Sequence, residues 1–227
     1  MALSRSVLLA VLVLAGGLAQ PVRAQAAAPG GDALERPLRF DRLTLEDGLS
    51  QGEILDVLQD RRGFLWFATG NGVNRYDGYT FRVYATVPFD TTSLEDGVVN
   101  GLHEDREGAI WMATNYSGLA RLDPLTETVV HYKHDPDDPR SLSPGPVTAI
   151  FEDDRGGLWA GTGVGLSRMD PDRPGRFTHY RHDPNDPASL SDDAVRSIAG
   201  GEAGALWIAT ANGLNRMDLD RPGRFER

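Results

Sequence analysis

The sequence predicts an all-β fold, a β-propeller of four blades with four antiparallel strands each. Three observations carry that reading: a fixed spacing of tryptophans, a two-residue apolar alternation between them, and turn residues where hairpins would reverse. Trp66, Trp111, Trp159 and Trp207 are the four tryptophans of the chain, and subtraction puts them 45, 48 and 48 residues apart. A period of that size marks a propeller blade. No segment carries the 3.6-residue stripe of a helical solenoid.

Within the first unit, the alternation predicts strands over Ile54–Leu58, Leu65–Thr69, Val73–Tyr76 and Phe81–Tyr84. Asp60-Arg61-Arg62-Gly63, Asn71-Gly72 and Asp77-Gly78 separate them, and Asp, Asn and Gly are the residues that tolerate the backbone of tight turns. Each unit repeats a Gly three before the Trp (Gly63, Gly108, Gly156, Gly204) and a Thr three after it (Thr69, Thr114, Thr162, Thr210). A sheet cannot bury both faces alone, so the Trp is expected to fill the wedge between blades. Burying it contributes roughly 2–3 kcal/mol. Ala68, Ala113, Gly161 and Ala209 stand beside it and leave room for the ring. Arg75, Arg121, Arg168 and Arg216 each precede an Asp by two residues, which suggests a local ion pair or a carbonyl contact. Between blades, HDPDDPRSLS from His134 returns as HDPNDPASLS from His182, and DRPGRF occurs at Asp172 and again at Asp220.

Composition sets the bounds. With 40% hydrophobic and 25% charged residues the 227-residue chain suits one or two small globular domains. A net charge of −10 argues against nucleic acid as a partner, because phosphate binding requires clustered positive charge. Without Cys there is no disulfide framework and no thiolate chemistry.

Residues 1–24 read as a signal peptide: Arg5, an apolar run from Val7 to Leu14, then small Ala24 at the expected cleavage point. The run is much shorter than the ~20 residues that cross a bilayer. Residues 25–37 have no apolar periodicity and read as a disordered lead-in. Residues 38–227 hold the repeats.

Ring closure is the open question at this level. Arg39-Phe40-Asp41-Arg42-Leu43 matches the fourth-strand position of Phe81–Tyr84 and Phe177–Tyr180, and the fourth unit reaches only Arg224-Phe225 before Arg227. The expectation is an incomplete ring, the N-terminal fragment of a larger propeller. A closed four-bladed ring arises instead if Phe40–Leu43 displaces the terminal strand.

Phe40-x-x-Leu-Thr-x-x-Asp-Gly-Leu-Ser, the blade pattern D-x-x-G-x-[LI]-W-x-[AG]-T with N-R-[YM]-D, and D-P-x-D-P-x-S-L-S between blades together resemble the two-component regulator propeller family. The resemblance covers about Leu38 to Arg227. It implies a seven-bladed parent and a periplasmic sensor region of a hybrid histidine kinase or a diguanylate cyclase. It also implies an inner-membrane span and a phosphorelay output beyond this chain, a homodimeric full-length receptor, and small-molecule or oligosaccharide ligands. The fourth unit departs from the pattern, with Gly201 in place of the turn Asp.

Propeller loops between second and third strands, and the starts of inner strands, open on one face. That places Asn71, Asn115, Tyr116 and Asn212 on the loops and Asn100, Thr148 and Arg196 on the inner strands as candidate ligand-binding residues. Amides and a phenol suit hydroxyl-rich ligands. Asn before Gly72 and Gly213 equally suits a turn with positive φ, whereas Tyr116 sits in the one turn with an extra residue. No catalytic, metal-ligating or cofactor-binding residue is expected. His103, the one inner-strand His, reads as packing, and His131/His179 and His134/His182 are repeat equivalents. The carboxylate-rich stretches Asp135–Pro139 and Asp183–Pro187 read as solvated turns. The alternatives are a propeller enzyme resembling streptogramin lyase, which needs a converging His and Glu with a divalent ion, and a secreted protein-interaction platform.

Overall fold

The structure, a computed structural model, describes residues 40–227. The expected signal peptide, the lead-in and Arg39 lie outside the described residues. Sixteen strands form four antiparallel sheets, each built from four consecutive strands. Blade 1 holds β1 (Ile54–Gln59), β2 (Leu65–Thr69), β3 (Gly72–Tyr76) and β4 (Phe81–Tyr84). In blade 2 these are β5 (Val99–Glu104), β6 (Ile110–Thr114), β7 (Leu119–Leu122) and β8 (Val129–Tyr132). Blade 3 follows with β9 (Val147–Glu152), β10 (Leu158–Thr162), β11 (Gly165–Met169) and β12 (Phe177–Tyr180). Blade 4 has β13 (Val195–Gly200), β14 (Ala205–Thr210), β15 (Gly213–Asp218) and the short β16 (Phe225–Glu226).

The order within each sheet is the order in the chain, so every connection is a hairpin. The expected strands are observed, with β1 one residue longer and β3 one residue earlier. Phe40–Leu43 forms no strand.

The inner strands pack side by side, β1 against β5, β5 against β9 and β9 against β13. Among the described residues, no comparable packing joins β13 to β1, so the four blades form an open arc. Each seam holds its own core. Trp66 packs with Ile110, Met112, Leu122 and Leu94 of blade 2. Trp111 packs with Leu158, Ala160 and Phe177 of blade 3, and Trp159 with Leu206, Ile208 and Phe225 of blade 4. Second-strand residues alternate between two faces. The Trp side of one blade therefore meets the aliphatic side of the next. Gly161 is required at its seam, because a Cβ there would stand 2.5 Å from Val195 of blade 4.

Polar contacts fix each Trp. Asp105 Oδ2 accepts the Trp111 indole N–H at 2.8 Å, and its Oδ1 accepts the backbone N–H groups of Glu107 and Ala109, each at 2.9 Å. Asp60 and Asp153 repeat this around Trp66 and Trp159. Arg121 and Arg168 do not pair with the Asp two residues on. Their guanidinium groups turn to the β1–β2-type turn of their own blade, at 3.2 Å from Asp105 and 3.6 Å from Asp153, and lie over the Trp ring. Arg75 lies over Phe64 and Trp66, where the ring faces attract its charge.

The interblade linkers are self-fastened. In HDPDDPRSLS, the Asp135 N–H donates to Ser141 Oγ, and that hydroxyl donates back to the Asp135 carbonyl. Asp183 and Ser189 repeat the pair. This buries Leu142 and Leu190 as anchors under the following blade.

Candidate functional site

The repeated Thr after each Trp shapes the loops where sequence reasoning placed ligand contacts. Thr69 Oγ1 accepts the Asn71 N–H at 3.0 Å and donates to the Gly72 carbonyl at 2.9 Å. Thr210 does the same for Asn212 and Gly213, at 3.3 and 3.1 Å. In blade 2, Thr114 accepts from Ser117 and donates to Gly118. Each tip is thus set by a hydroxyl beneath it, which leaves the tip side chains free to point outward.

Asn71, Asn212 and Tyr116 are exposed at these tips, Tyr116 to 82%. Its inserted loop is braced from below, the Tyr116 N–H donating to Asp96 Oδ2 at 2.5 Å and the Asn115 N–H to the Val98 carbonyl at 3.1 Å. Asn71 and Asn212 do not adopt the left-handed backbone expected of them. Only the glycines after them do, with φ of +88° at Gly72 and +113° at Gly213. The requirement for positive φ falls one residue later than the sequence suggests.

The inner-strand candidates have another occupation. Asn100 Nδ2 donates to the Val147 carbonyl of blade 3 at 3.1 Å, and Thr148 Oγ1 donates to the Val195 carbonyl of blade 4 at 2.8 Å. Both are latches from one blade to the next. Arg196, at the same repeat position in blade 4, is exposed.

His103 faces blade 3, with Nε2 at 3.7 Å from Glu152 Oε2. Burial holds its pKa below the ordinary histidine value, against the opposing pull of Glu152. Glu152 is itself engaged, accepting the Arg106 N–H at 3.0 Å with the Arg106 guanidinium at 3.6 Å. His and Glu therefore do converge on an inner strand, but inside a seam where an arginine already occupies the carboxylate. Among the described residues, no group of three or more His, Cys, Asp or Glu side chains is arranged to hold a metal ion. His131 and His179 sit on different blades, as expected. His179 Nδ1 lies 3.0 Å from both Ser143 Oγ and Ser167 Oγ, tying the linker to blade 3.

Sequence reasoning missed a clamp that repeats across the seams. The Arg61 N–H donates to Glu104 at 2.9 Å and its guanidinium to the Arg106 carbonyl at 2.7 Å. Arg106 repeats this one blade on, toward Glu152 and the Asp153 carbonyl. The signal was an Arg two residues after a Gln or Glu at Gln59–Arg61 and Glu104–Arg106, with Glu152 repeating the acceptor alone, weakened because its halves act across different seams.

A cleft of about 450 Å³ opens between blades 2 and 3, lined by Trp111, Tyr132, Leu158 and Met169 together with Arg106, Arg121 and Glu152. Its charged groups already pair with one another.

Fold, seams and tips together define an arc of propeller blades held by repeat-encoded contacts, with exposed amide and phenol groups on one set of loops. The repeats have a family. Residues 48–71, 93–116 and 141–163 match the two component regulator propeller, and these segments of units 1 to 3 are repeats of that family. The chain is similar to the extracellular domain ascribed to a hybrid two component system from B. thetaiotaomicron, with 31% identity and a TM-score of 0.73, over 82% of this chain and 26% of that one. Over 55 residues, 24% of this chain and 4% of the other, it is 46% identical to Histidine kinase P4 of Formosa agariphila. Virginiamycin B lyase from Staphylococcus aureus shares the fold at 20% identity, with a TM-score of 0.55, over 78% of this chain and 56% of the lyase. The chain thus spans about a quarter of the extracellular domain it resembles and a small part of the kinase.

Proposed function

We propose that this chain is a ligand-sensing, periplasmic propeller of a two component receptor of the hybrid histidine kinase type. The observation that carries the reading is the coincidence of three family repeats with 31% identity to an extracellular domain of such a system over 82% of the chain. That likeness supports an extracytoplasmic location, consistent with the export signal expected over residues 1–24. The loop tips offer the ligand face. Asn71 and Asn212 supply paired donors and acceptors, and Tyr116 supplies a flat ring with a hydroxyl, a combination suited to an oligosaccharide fragment. Kinase output belongs to the rest of the receptor.

Isothermal titration of the purified chain against a panel of polysaccharide-derived oligosaccharides tests the proposal. Binding in the range of roughly 1–100 μM is expected for one class. It is lost in a Tyr116→Ala, Asn71→Ala double variant and kept in Tyr79→Ala, whose ring is exposed on the β3–β4 hairpin. A silent panel, or binding indifferent to the loop substitutions, overturns the reading.

A further inference from the structure

We propose that the cleft between blades 2 and 3 binds a small organic acid, its carboxylate on the Tyr132 hydroxyl and its apolar body against Trp111, Leu158 and Met169. Both walls are consecutive blades of this chain. They meet here through the turn at Asp105–Glu107 and the hairpin after β11, which the strand order puts at the end of the blades opposite Asn71, Tyr116 and Asn212. The proposal is therefore independent of the sensing reading.

The first seam carries such a carboxylate on its own chain. Glu127, in the hairpin before β8, accepts the Tyr84 hydroxyl through Oε1 at 3.3 Å and pairs with Arg82. It does so from a left-handed backbone with φ of +59°, a conformation that disfavours a side chain. Gly175 and Gly223 stand at the same place, two residues before the fourth strand of blades 3 and 4, with φ of +90° and +89°. Glycine suits that backbone, and blade 2 puts a carboxylate on it instead. In the second seam the neighbour of this place is Tyr132, which stacks on Trp111 as Tyr84 stacks on Trp66. A Cβ on Gly175 would lie 3.4 Å from the Tyr132 ring. The backbone thus reaches the tyrosine, and glycine gives it no acceptor.

Among the described residues, no side chain accepts a hydrogen bond from the Tyr132 hydroxyl. Burial pushes its pKa up, against the pull of Arg121, so it stays a donor at neutral pH. The acidic side chains that line the cleft are engaged. Asp105 and Glu107 meet Arg121, Glu152 meets Arg106, and Asp170 accepts the Asp172 N–H. The counterpart of Arg82 is Val130, which leaves Arg121 as the cation acting on Tyr132. Trp111, Leu158 and Met169 supply apolar surface in the same cleft, which selects an acid with a hydrocarbon body over a bare inorganic anion.

Titration of the full chain with phenylacetate at constant ionic strength, followed at the assigned Trp111 indole N–H resonance, tests this, with phenylacetamide as the uncharged control. A saturable shift is expected with a Kd of about 1–10 mM for a ligand this small, and roughly tenfold weaker binding of the amide. Tyr132→Phe removes the donor and keeps the ring, and should weaken phenylacetate about tenfold. Gly175→Glu repeats the arrangement of the first seam and should abolish binding, because the chain then supplies its own carboxylate. Gly175→Ala has the same backbone strain without the carboxylate and should keep binding. Far-UV circular dichroism verifies that each variant keeps its strands, and Tyr132→Phe, which leaves the backbone unchanged, decides the matter where Gly175→Glu does not fold. Equal affinity for acid and amide overturns the proposal. Binding indifferent to Tyr132→Phe or to a folded Gly175→Glu chain does so too, as does a resonance that phenylacetate leaves unmoved.

Discussion

Asp105 shows how much one side chain can hold in this fold. It accepts two backbone N–H groups, an indole N–H and an arginine contact while nearly excluded from water. Asp105→Ala leaves those donors buried without acceptors, at a cost of about 3 kcal/mol, read as a lowered midpoint in urea unfolding. Glycines divide in the same way. Gly72 and Gly78 both have positive φ, +88° and +97°. A Cβ on Gly72 would stand 2.2 Å from the Tyr84 carbonyl oxygen, while one on Gly78 meets nothing within 4 Å. Gly78→Ala should cost only the conformational strain, about 1 kcal/mol, and Gly72→Ala clearly more. Parallel thermal melts of the two variants separate steric collision from backbone preference. Histidine sets the pH response. Burial holds His103 and His179 below their ordinary value of 6.5. The folded chain therefore binds fewer protons than the unfolded chain below that value, so stability is complete above it and declines as pH falls through it. His103→Gln should reduce the difference in Tm between about pH 7.5 and pH 5, and an unchanged difference would show that His103 protonates freely in the fold.

Among the elements, the seams differ although the blades repeat. Blades 1 and 2 are joined by Arg61 with Glu104, and blades 2 and 3 by Arg106 with Glu152. At the third seam Asp154 replaces the arginine and Gly200 the glutamate. Arg155, bonded to Asp220 and the Leu219 carbonyl, is the substitute nearer the rim. Hydrogen exchange should therefore open β13 and β14 before β9 and β10, with Arg155→Ala widening the gap; equal protection would show that the inner clamp contributes little. The strands themselves were legible because alternation and turn chemistry are local: three of the four boundaries at the strand starts of blade 1 agree with the sequence reading. Phe40–Leu43 has the pattern of a fourth strand and forms none, since such a pattern is local whereas strand pairing is not. Asn71, Asn115, Tyr116 and Asn212 lie between second and third strands, a position that topology alone dictates. That Asn100 and Thr148 spend their donors on the next blade depends on how two sheets approach, which no single repeat encodes.

On the scale of the whole molecule, four similar units give an arc with a direction, since every blade has a Trp side and an aliphatic side. Three of the four Trp rings lie inside seams, and the fourth lies on a flank. The chain consequently carries its own optical gauge. Trp207 sits where water can relax its excited state, while Trp66, Trp111 and Trp159 emit from dry surroundings. The red edge of the emission spectrum, and the fraction quenched by iodide, should report on blade 4 alone. Whatever comes to cover that flank will announce itself as a blue shift, without any label being attached.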